Sequence, residues 1–185
     1  KRRDYDGIRR LPDGRRAEII VESAGESNEH AKVLTLVKDH WRKIGIALLI
    51  RSTQRDLFRK RVYSGETVMS VWWGKDNATP TADMSPERFA PVAQDQLQWS
   101  DWGHHYETGG KNGHAPTLPA ARDLLALLGE WKRTRTTAER EQVWHRMLAL
   151  NAEQVITIGI VNGAKQPIAT SPGLRNLPVE GILSF

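Results

Sequence analysis

The sequence predicts an α/β fold: a mostly parallel central sheet flanked by helices. Two observations carry this prediction. Short β-branched runs alternate with segments whose apolar residues recur at helical spacing, and the run after the first such helix is continuously apolar. The chain has 185 residues, of which 39% are hydrophobic and 26% charged, which suits one globular domain with its own core. We therefore expect residues 1–185 to form a single domain, with 1–16 and 172–185 as peripheral segments.

The first strand–helix–strand unit follows the turn signal Pro12-Asp13-Gly14. The run from Ala17 to Glu22 predicts a strand, and Ser27 or Asn28 can cap the helix that comes next. Gly45 ends this helix, and Ile46 to Ile50 forms a second strand that lacks alternation. Strands of that kind are covered on both faces. The apolar stripe of the helix consists of Ala31, Leu34, Val37, Trp41 and Ile44.

A second unit follows the same order. The stretch from Arg55 to Tyr63 predicts a short helix whose inner face is Leu57, Phe58 and Val62. The run from Thr67 to Trp73 predicts the third strand. From Gly74 to Pro116 the periodicity is lost, apart from a short helix expected at Ser85 to Ala93, and long loops inside a domain are often functional.

Two amphipathic helices complete the pattern. Pro119 starts the first of them, and Thr136 with Glu139 predicts a capping box for the second. Val155 to Val161 predicts a fourth strand and Gln166 to Thr170 another, so we expect about five strands. The stripe of the first helix is Ala121, Leu124, Leu125, Leu128 and Trp131; that of the second is Val143, Met147, Leu150 and Gln154.

Composition excludes several classes of function. The chain contains no cysteine, which rules out a disulfide framework, a thiolate metal site and a cysteine nucleophile. No run of 18 apolar residues is present. The net charge of +5 is spread among interleaved acidic residues, so we expect no nucleic-acid binding.

The third strand ends at a group of residues suited to ligand binding. Trp72 and Trp73 are followed at once by Gly74-Lys75-Asp76-Asn77, and ligands of open α/β sheets bind beyond the carboxyl ends of the strands. Indole rings can stack on a ligand, and a carboxylate can hold an ammonium group by a charge-assisted hydrogen bond. The competing interpretation is that one tryptophan belongs to the core and Asp76 only begins a turn.

The stretch from Trp73 to Pro80 resembles the W-x-x-D-x-x-x-P signature of the extracellular solute-binding proteins of family 5, the oligopeptide-, dipeptide- and nickel-binding components of ABC importers. The resemblance extends from about Ala17 to Ile168. It includes Trp41 to Ile46, which is similar to the family's helix-to-strand step, and Phe58 with Ser64-Gly65-Glu66. It corresponds to the last third of a family member, and the chain opens on Lys1-Arg2-Arg3 without a methionine, like the interior of a longer protein.

The resemblance implies a carboxy-terminal lobe of the type II periplasmic binding arrangement, with the solute enclosed against an amino-terminal lobe that this chain lacks. It implies a periplasmic protein that delivers a peptide or another small solute to an inner-membrane ABC permease, with no catalytic role and no cofactor. The signature aspartate binds the peptide ammonium group in relatives, so this role would fall to Asp76, with Trp72 and Trp73 lining the pocket. Some peptide-binding members carry arginine where this sequence has Ser70, which leaves the solute open.

Other functions stay as alternatives. An α/β enzyme could use the long loop as a lid, with Asp101 and Glu107 as paired carboxylates. A protein-interaction module could have kept the lobe and lost solute binding. His104, His105 and His114 could suggest a metal site, but adjacent histidines point in different directions and we expect none. His30, His40 and His145 occupy polar helix positions and are expected at the surface.

Overall fold

A computed structural model describes residues 3–74, 86–160 and 168–176. The chain divides into two compact units. The first unit consists of residues 1–73 and 91–116, and the second of residues 74–90 and 117–185.

The first unit contains a parallel sheet, as the sequence predicts. Its strands are β1 (Glu18–Ser23), β2 (Ala47–Ser52) and β3 (Met69–Ser70), in the order β2-β1-β3. All six residues of β1 pair with β2, whereas β3 pairs through only two residues. The third strand is therefore much shorter than predicted, although the Val71 amide still donates to the Glu22 carbonyl at 3.0 Å.

Helix α1 (Asn28–Lys43) covers one face of this sheet, and its bounds confirm the predicted helix. Leu34 packs with Val21 and Leu48 in a buried cluster, which Val37 and Trp41 extend. The other two residues of the predicted stripe, Ala31 and Ile44, are exposed. Gly45 takes a φ of +85° after the helix, where a Cβ atom would lie 2.7 Å from Arg9 Cγ. Both the backbone angle and the space thus favour glycine at this turn.

The opposite face of the sheet is only partly covered, which corrects the expectation of strands buried on both sides. Helix α2 (Arg55–Tyr63) lies over its carboxyl end, where Phe58 and Val62 pack with Ala24. Leu57, predicted on the inner face, is 49% exposed. Nearer the amino ends of the strands, the paired residues Ile20 and Leu49 are 36% and 43% exposed. A continuously apolar run predicts a strand but not what covers each face.

The long loop contains a helix that the sequence did not predict, α3 (Ser100–Glu107). Gln96 organises the segment before it, because its Oε1 atom accepts from the amides of Val92 and Ala93 at 2.9 and 3.0 Å and from Trp99 Nε1 at 3.2 Å. A helix of eight residues with a central glycine and adjacent histidines has too little apolar periodicity to be recognised.

The second unit is built on α4 (Pro119–Trp131) and α5 (Thr137–Gln154), both confirmed. Thr136 and Glu139 form the predicted capping box. In place of the short helix expected at residues 85–93, the structure has a single 3-10 turn at Pro86–Phe89, and Phe89 packs edge-on against Trp144 with ring centroids 5.0 Å apart. The buried residues of the helix pair are Ala120, Ala121, Leu124, Leu127, Leu128, Val143, Trp144 and Met147.

The predicted fourth strand is wrong over its described part. Val155 ends α5 in the left-handed conformation, with a φ of 48°, and residues 156–160 belong to no strand. The strand expected at Gln166 to Thr170 is described only at 168–170, which are irregular. Three strands rather than five are therefore present in the parts of the chain that the structure describes. No helix there combines the length and hydropathy needed to cross a membrane.

Candidate functional site

The carboxyl ends of β1 and β2 are held together by polar contacts. The hydroxyl groups of Ser23 and Ser52 lie 3.0 Å apart, and the Thr53 amide donates to the Ser23 carbonyl at 3.0 Å. Gly25, two residues after Ser23, has a φ of +68°, and a Cβ atom there would lie 3.1 Å from the Thr53 carbonyl oxygen. Glycine at position 25 therefore allows the segments that follow β1 and β2 to lie close together.

Trp72 forms one wall of the space beyond these strand ends. Its ring stacks on Phe58 with centroids 5.6 Å apart and planes 15° from parallel. Arg55 and Arg59, one turn apart on α2, place their guanidinium carbons 5.8 and 5.9 Å from the centroid of its ring. Distances of this size allow cation–π attraction. Trp72 is thus fixed by packing and by two cations.

Trp73 is presented very differently, since it is 56% exposed. Its described ring partner is His30, whose centroid lies 4.4 Å away at an interplanar angle of 50°. His30 lies in the first turn of α1, where its amide donates to the Ser27 hydroxyl at 3.1 Å. The helix cap therefore sets the position of the residue that contacts Trp73.

These side chains surround an open cleft of about 210 Å³, which we call the strand-end cleft. In its lining, Glu26 forms an ion pair with Arg55, and both side chains remain about half exposed. A smaller cavity of about 90 Å³ lies beside Trp72 and is lined by Phe58, Arg59, Tyr63, Asp95 and Leu97 as well. The residues that line the strand-end cleft are Ala24, Gly25, Glu26, Ser27, His30, Arg55, Trp72 and Trp73.

Two of the three residues predicted to bind a ligand, Trp72 and Trp73, line the same cleft. The third, Asp76, lies outside the described residues. The competing interpretation accounts for Trp72 in part, because it packs against the core cluster of Ala24, Phe58 and Val62. Trp73 has no such packing and is the more accessible of the pair.

The ionisable lining residues Glu26, His30 and Arg55 were not predicted from the sequence as part of the site. His30 was expected at the surface but is half-buried beside Trp73. A usable signal did exist, since Glu26 and Ser27 follow β1 just as Asp76 follows β3. The rule that ligands bind beyond strand ends applies equally to both segments.

A buried ion pair lies on β1 next to the cleft residues. Glu22 is 2% exposed and accepts two hydrogen bonds from Arg61, at 2.8 and 2.9 Å, and one from Arg51 at 3.3 Å. The hydrogen bonds that Arg61 donates to Glu22 raise the pKa of the Arg61 guanidinium further above its usual range. The carboxylate is fully engaged within the protein, so its role is to join β1, β2 and α2.

The remaining polar candidates do not form a second site. Asp101 and Glu107, considered as a carboxylate pair, bind different partners: Asp101 Oδ2 lies 3.0 Å from His114 Nδ1, and Glu107 accepts from the Gln94 amide at 3.1 Å. Within residues 3–74, 86–160 and 168–176, no three histidine, aspartate or glutamate side chains converge as metal ligands would.

Several solved structures resemble this chain. The oligopeptide-binding protein OppA matches 81% of it with a TM-score of 0.65 and 21% identity. The periplasmic binding protein MelB from Agrobacterium fabrum, in complex with stachyose, matches 86% with a TM-score of 0.66 and 18% identity. NikA from Brucella suis, in complex with Fe(III)-EDTA, matches 83% with a TM-score of 0.59 and 16% identity. No family model matches the sequence. No curated protein matches it either.

These likenesses establish the fold: the chain has the α/β fold of the part of each structure that it matches. It spans only 25%, 23% and 28% of the lengths of the three proteins, in the same order. About three quarters of each of them thus has no counterpart here.

Proposed function

We propose that this chain is the carboxy-terminal lobe of a periplasmic solute-binding protein of family 5, and that the strand-end cleft is its half of the solute site. The observation that carries the proposal is the position of the cleft. It lies at the carboxyl ends of β1 and β2, where open α/β sheets bind ligands, and exposes Trp73 there.

The size of the cleft supports a shared site. Pockets for small molecules have volumes of about 300–1,000 Å³ and enclose most of the ligand. The strand-end cleft holds about 210 Å³ and is open to solvent. A second lobe closing over it would enlarge the site and remove the solute from water. Ligand would then favour the closed form, because only there do both lobes contact it.

Location and partners follow from the same proposal. The protein would act in the periplasm and deliver its solute to an inner-membrane ABC permease. The three similar structures are described with different solutes: oligopeptide by name, stachyose and Fe(III)-EDTA. The fold is therefore compatible with several chemical classes of solute. Two of the three are named as binding proteins, which favours binding over the alternative of an enzyme with a lid loop.

Asp76 is the first residue to test. We expect it to accept a hydrogen bond from the solute, as the family signature implies. Asp76→Asn in the longer protein should then weaken binding by about 1.5–3 kcal/mol, the contribution of a hydrogen bond to a charged group. Calorimetry with the solute that co-purifies with the protein, identified by mass spectrometry, measures this loss.

The matched control is Asp123→Asn on the exposed side of α4 in the second unit, which should leave the affinity unchanged. Equal affinities for wild type and Asp76→Asn would remove Asp76 from the site. If no solute co-purifies and none of a broad panel binds, the solute-binding proposal itself fails.

A further inference from the structure

The strand-end cleft also carries information about the class of its solute, and this inference rests on the proposed function. Trp73 offers a flat ring that is 56% exposed, beside Trp72, which is partly buried against the cluster of Ala24, Phe58 and Val62. A large indole left in water at a ligand site favours a solute that has a flat apolar face of its own.

The other walls of the cleft are polar rather than apolar. Glu26, Ser27, His30 and Arg55 supply a carboxylate, a hydroxyl, an imidazole and a guanidinium group, while the aliphatic lining is limited to Ala24. Among the described lining residues there is thus no aliphatic socket for a large apolar peptide side chain. The described lining favours a solute that presents many hydrogen-bonding groups.

The carboxylate and the guanidinium group among the described lining residues neutralise each other. Glu26 and Arg55 form an ion pair, and both side chains remain accessible, at 49% and 46%. A charged solute group would have to compete with this pair for its partner. A neutral hydroxyl group can instead donate to the Glu26 carboxylate and accept from the Arg55 guanidinium without separating them.

We propose that the solute is a carbohydrate, with one sugar ring stacked by its C–H face on Trp73 and its hydroxyl groups hydrogen-bonded to the Glu26–Arg55 pair. A sugar is the common class of solute that combines a flat apolar face with neutral donors and acceptors around its edge. The exposed indole and the self-neutralised ion pair then have a single explanation.

The test compares chemical classes on the longer natural protein that contains this chain. Calorimetry is run with raffinose, stachyose, maltotriose and cellobiose, with tri-alanine and tri-lysine, and with a nickel–histidine complex. We expect micromolar binding of at least one oligosaccharide and no binding of the peptides or the metal complex. Trp73→Ala should weaken sugar binding at least tenfold, and Trp73→Phe should keep part of it.

Tyr5→Ala is the matched control, because Tyr5 is a fully exposed aromatic residue outside the cleft; its affinity should equal that of wild type. Binding of a peptide or of the metal complex without any sugar would overturn the carbohydrate class and leave the solute-binding function standing. Sugar binding that Trp73→Ala does not alter would overturn the stacking site. Absence of binding by every probe would count against both proposals.

Discussion

Two adjacent tryptophans show how far a residue's type predicts its role. The sequence placed Trp72 and Trp73 at a strand end but gave no basis for telling them apart. The difference comes from α2, which carries Phe58. The ring centroids of Phe58 and Trp72 lie 5.6 Å apart, whereas Trp73 is 56% exposed. Which of the two tryptophans is covered depends on Phe58, which lies more than ten residues earlier in the chain, and local residue spacing does not reveal such a contact.

Loss of the Glu22 charge should destabilise the first unit. It is 2% exposed and bonded to Arg61 and Arg51. Glu22→Gln keeps the shape but leaves the two guanidinium groups facing a neutral amide. Breaking a buried pair costs about 3–5 kcal/mol. Because both arginines reach water, we expect the free energy of unfolding to fall by roughly 2–3 kcal/mol, at or below the lower end of that range. Urea unfolding measures this change.

The control for Glu22 is the exposed pair of Glu130 and Arg146, whose atoms lie 2.7 Å apart. Glu130→Gln should change the free energy of unfolding by less than about 1 kcal/mol, as is usual for surface ion pairs. Similar losses for the two variants would show that Glu22 is solvated rather than buried.

At the scale of elements, the helices with caps or apolar stripes were predictable from the sequence, whereas α3 and the absence of the fourth strand over its described part were not. Caps and apolar stripes predicted α1, α2, α4 and α5, because each helix carries its own signals. Helix α3 was missed, since its eight residues include Gly103 and form no apolar stripe. The predicted fourth strand has β-branched residues from Val155 on, but a strand also needs a partner, and the described residues provide none.

Gly103 explains how α3 packs. A Cβ atom at this position would overlap the backbone carbonyl of Ala93, which lies against the helix. Gly103→Ala must therefore shift the loop or the helix. We expect a loss of about 1–3 kcal/mol, the usual cost of overpacking, although alanine is the better helix former. Thermal unfolding followed by circular dichroism measures the change.

Gly129→Ala on α4 is the matched control, because its Cβ atom would meet only the end of the Arg133 side chain at 3.5 Å. That variant should gain about 0.5–1 kcal/mol from helix propensity. A gain for Gly103→Ala as well would contradict the close packing of α3 on Ala93.

The capping box of α5 should make its stability depend on pH. The Glu139 carboxylate accepts from the amides of Arg135 and Thr136 at 2.8 and 3.1 Å, and these bonds hold its pKa below the ordinary value of 4.5. A carboxyl group whose pKa is lower in the folded state stabilises the fold above its unfolded pKa. This contribution is lost as the pH falls through the folded pKa.

Carboxyl titration by NMR should place the pKa of Glu139 below 4.5. Glutamine also serves at this position of a capping box, so Glu139→Gln should change stability little at neutral pH and flatten its decline in acid. Glu153→Gln, at an exposed position near the end of the same helix, should keep the decline. An unshifted titration of Glu139 would refute the assignment.

At the scale of the whole molecule, the sequence predicted the fold class better than the extent of the sheet. The parallel direction of the strands follows from the strand–helix–strand repeat. That repeat is visible in this sequence without knowledge of what packs around the sheet. The number of strands and the covering of Ile20 and Leu49 depend on what else packs against the sheet. The structural matches cover over 80% of this chain but no more than 28% of each matched protein. Most of each matched protein therefore has no counterpart in this chain.

If the chain is one lobe of a two-lobed binding protein, it should fold alone but bind its solute weakly. The strand-end cleft of about 210 Å³ is open in the isolated chain, so a solute bound there would keep much of its surface in water. Losing the contacts of the second lobe should weaken binding at least a hundredfold, or about 2.8 kcal/mol at 1.4 kcal/mol per tenfold change. Calorimetry with the same solute on the 185-residue chain and on the longer protein measures the difference. Circular dichroism is the check that the short chain is folded. Equal affinities would mean that these residues form the entire site, and the two-lobe mechanism would have to be abandoned.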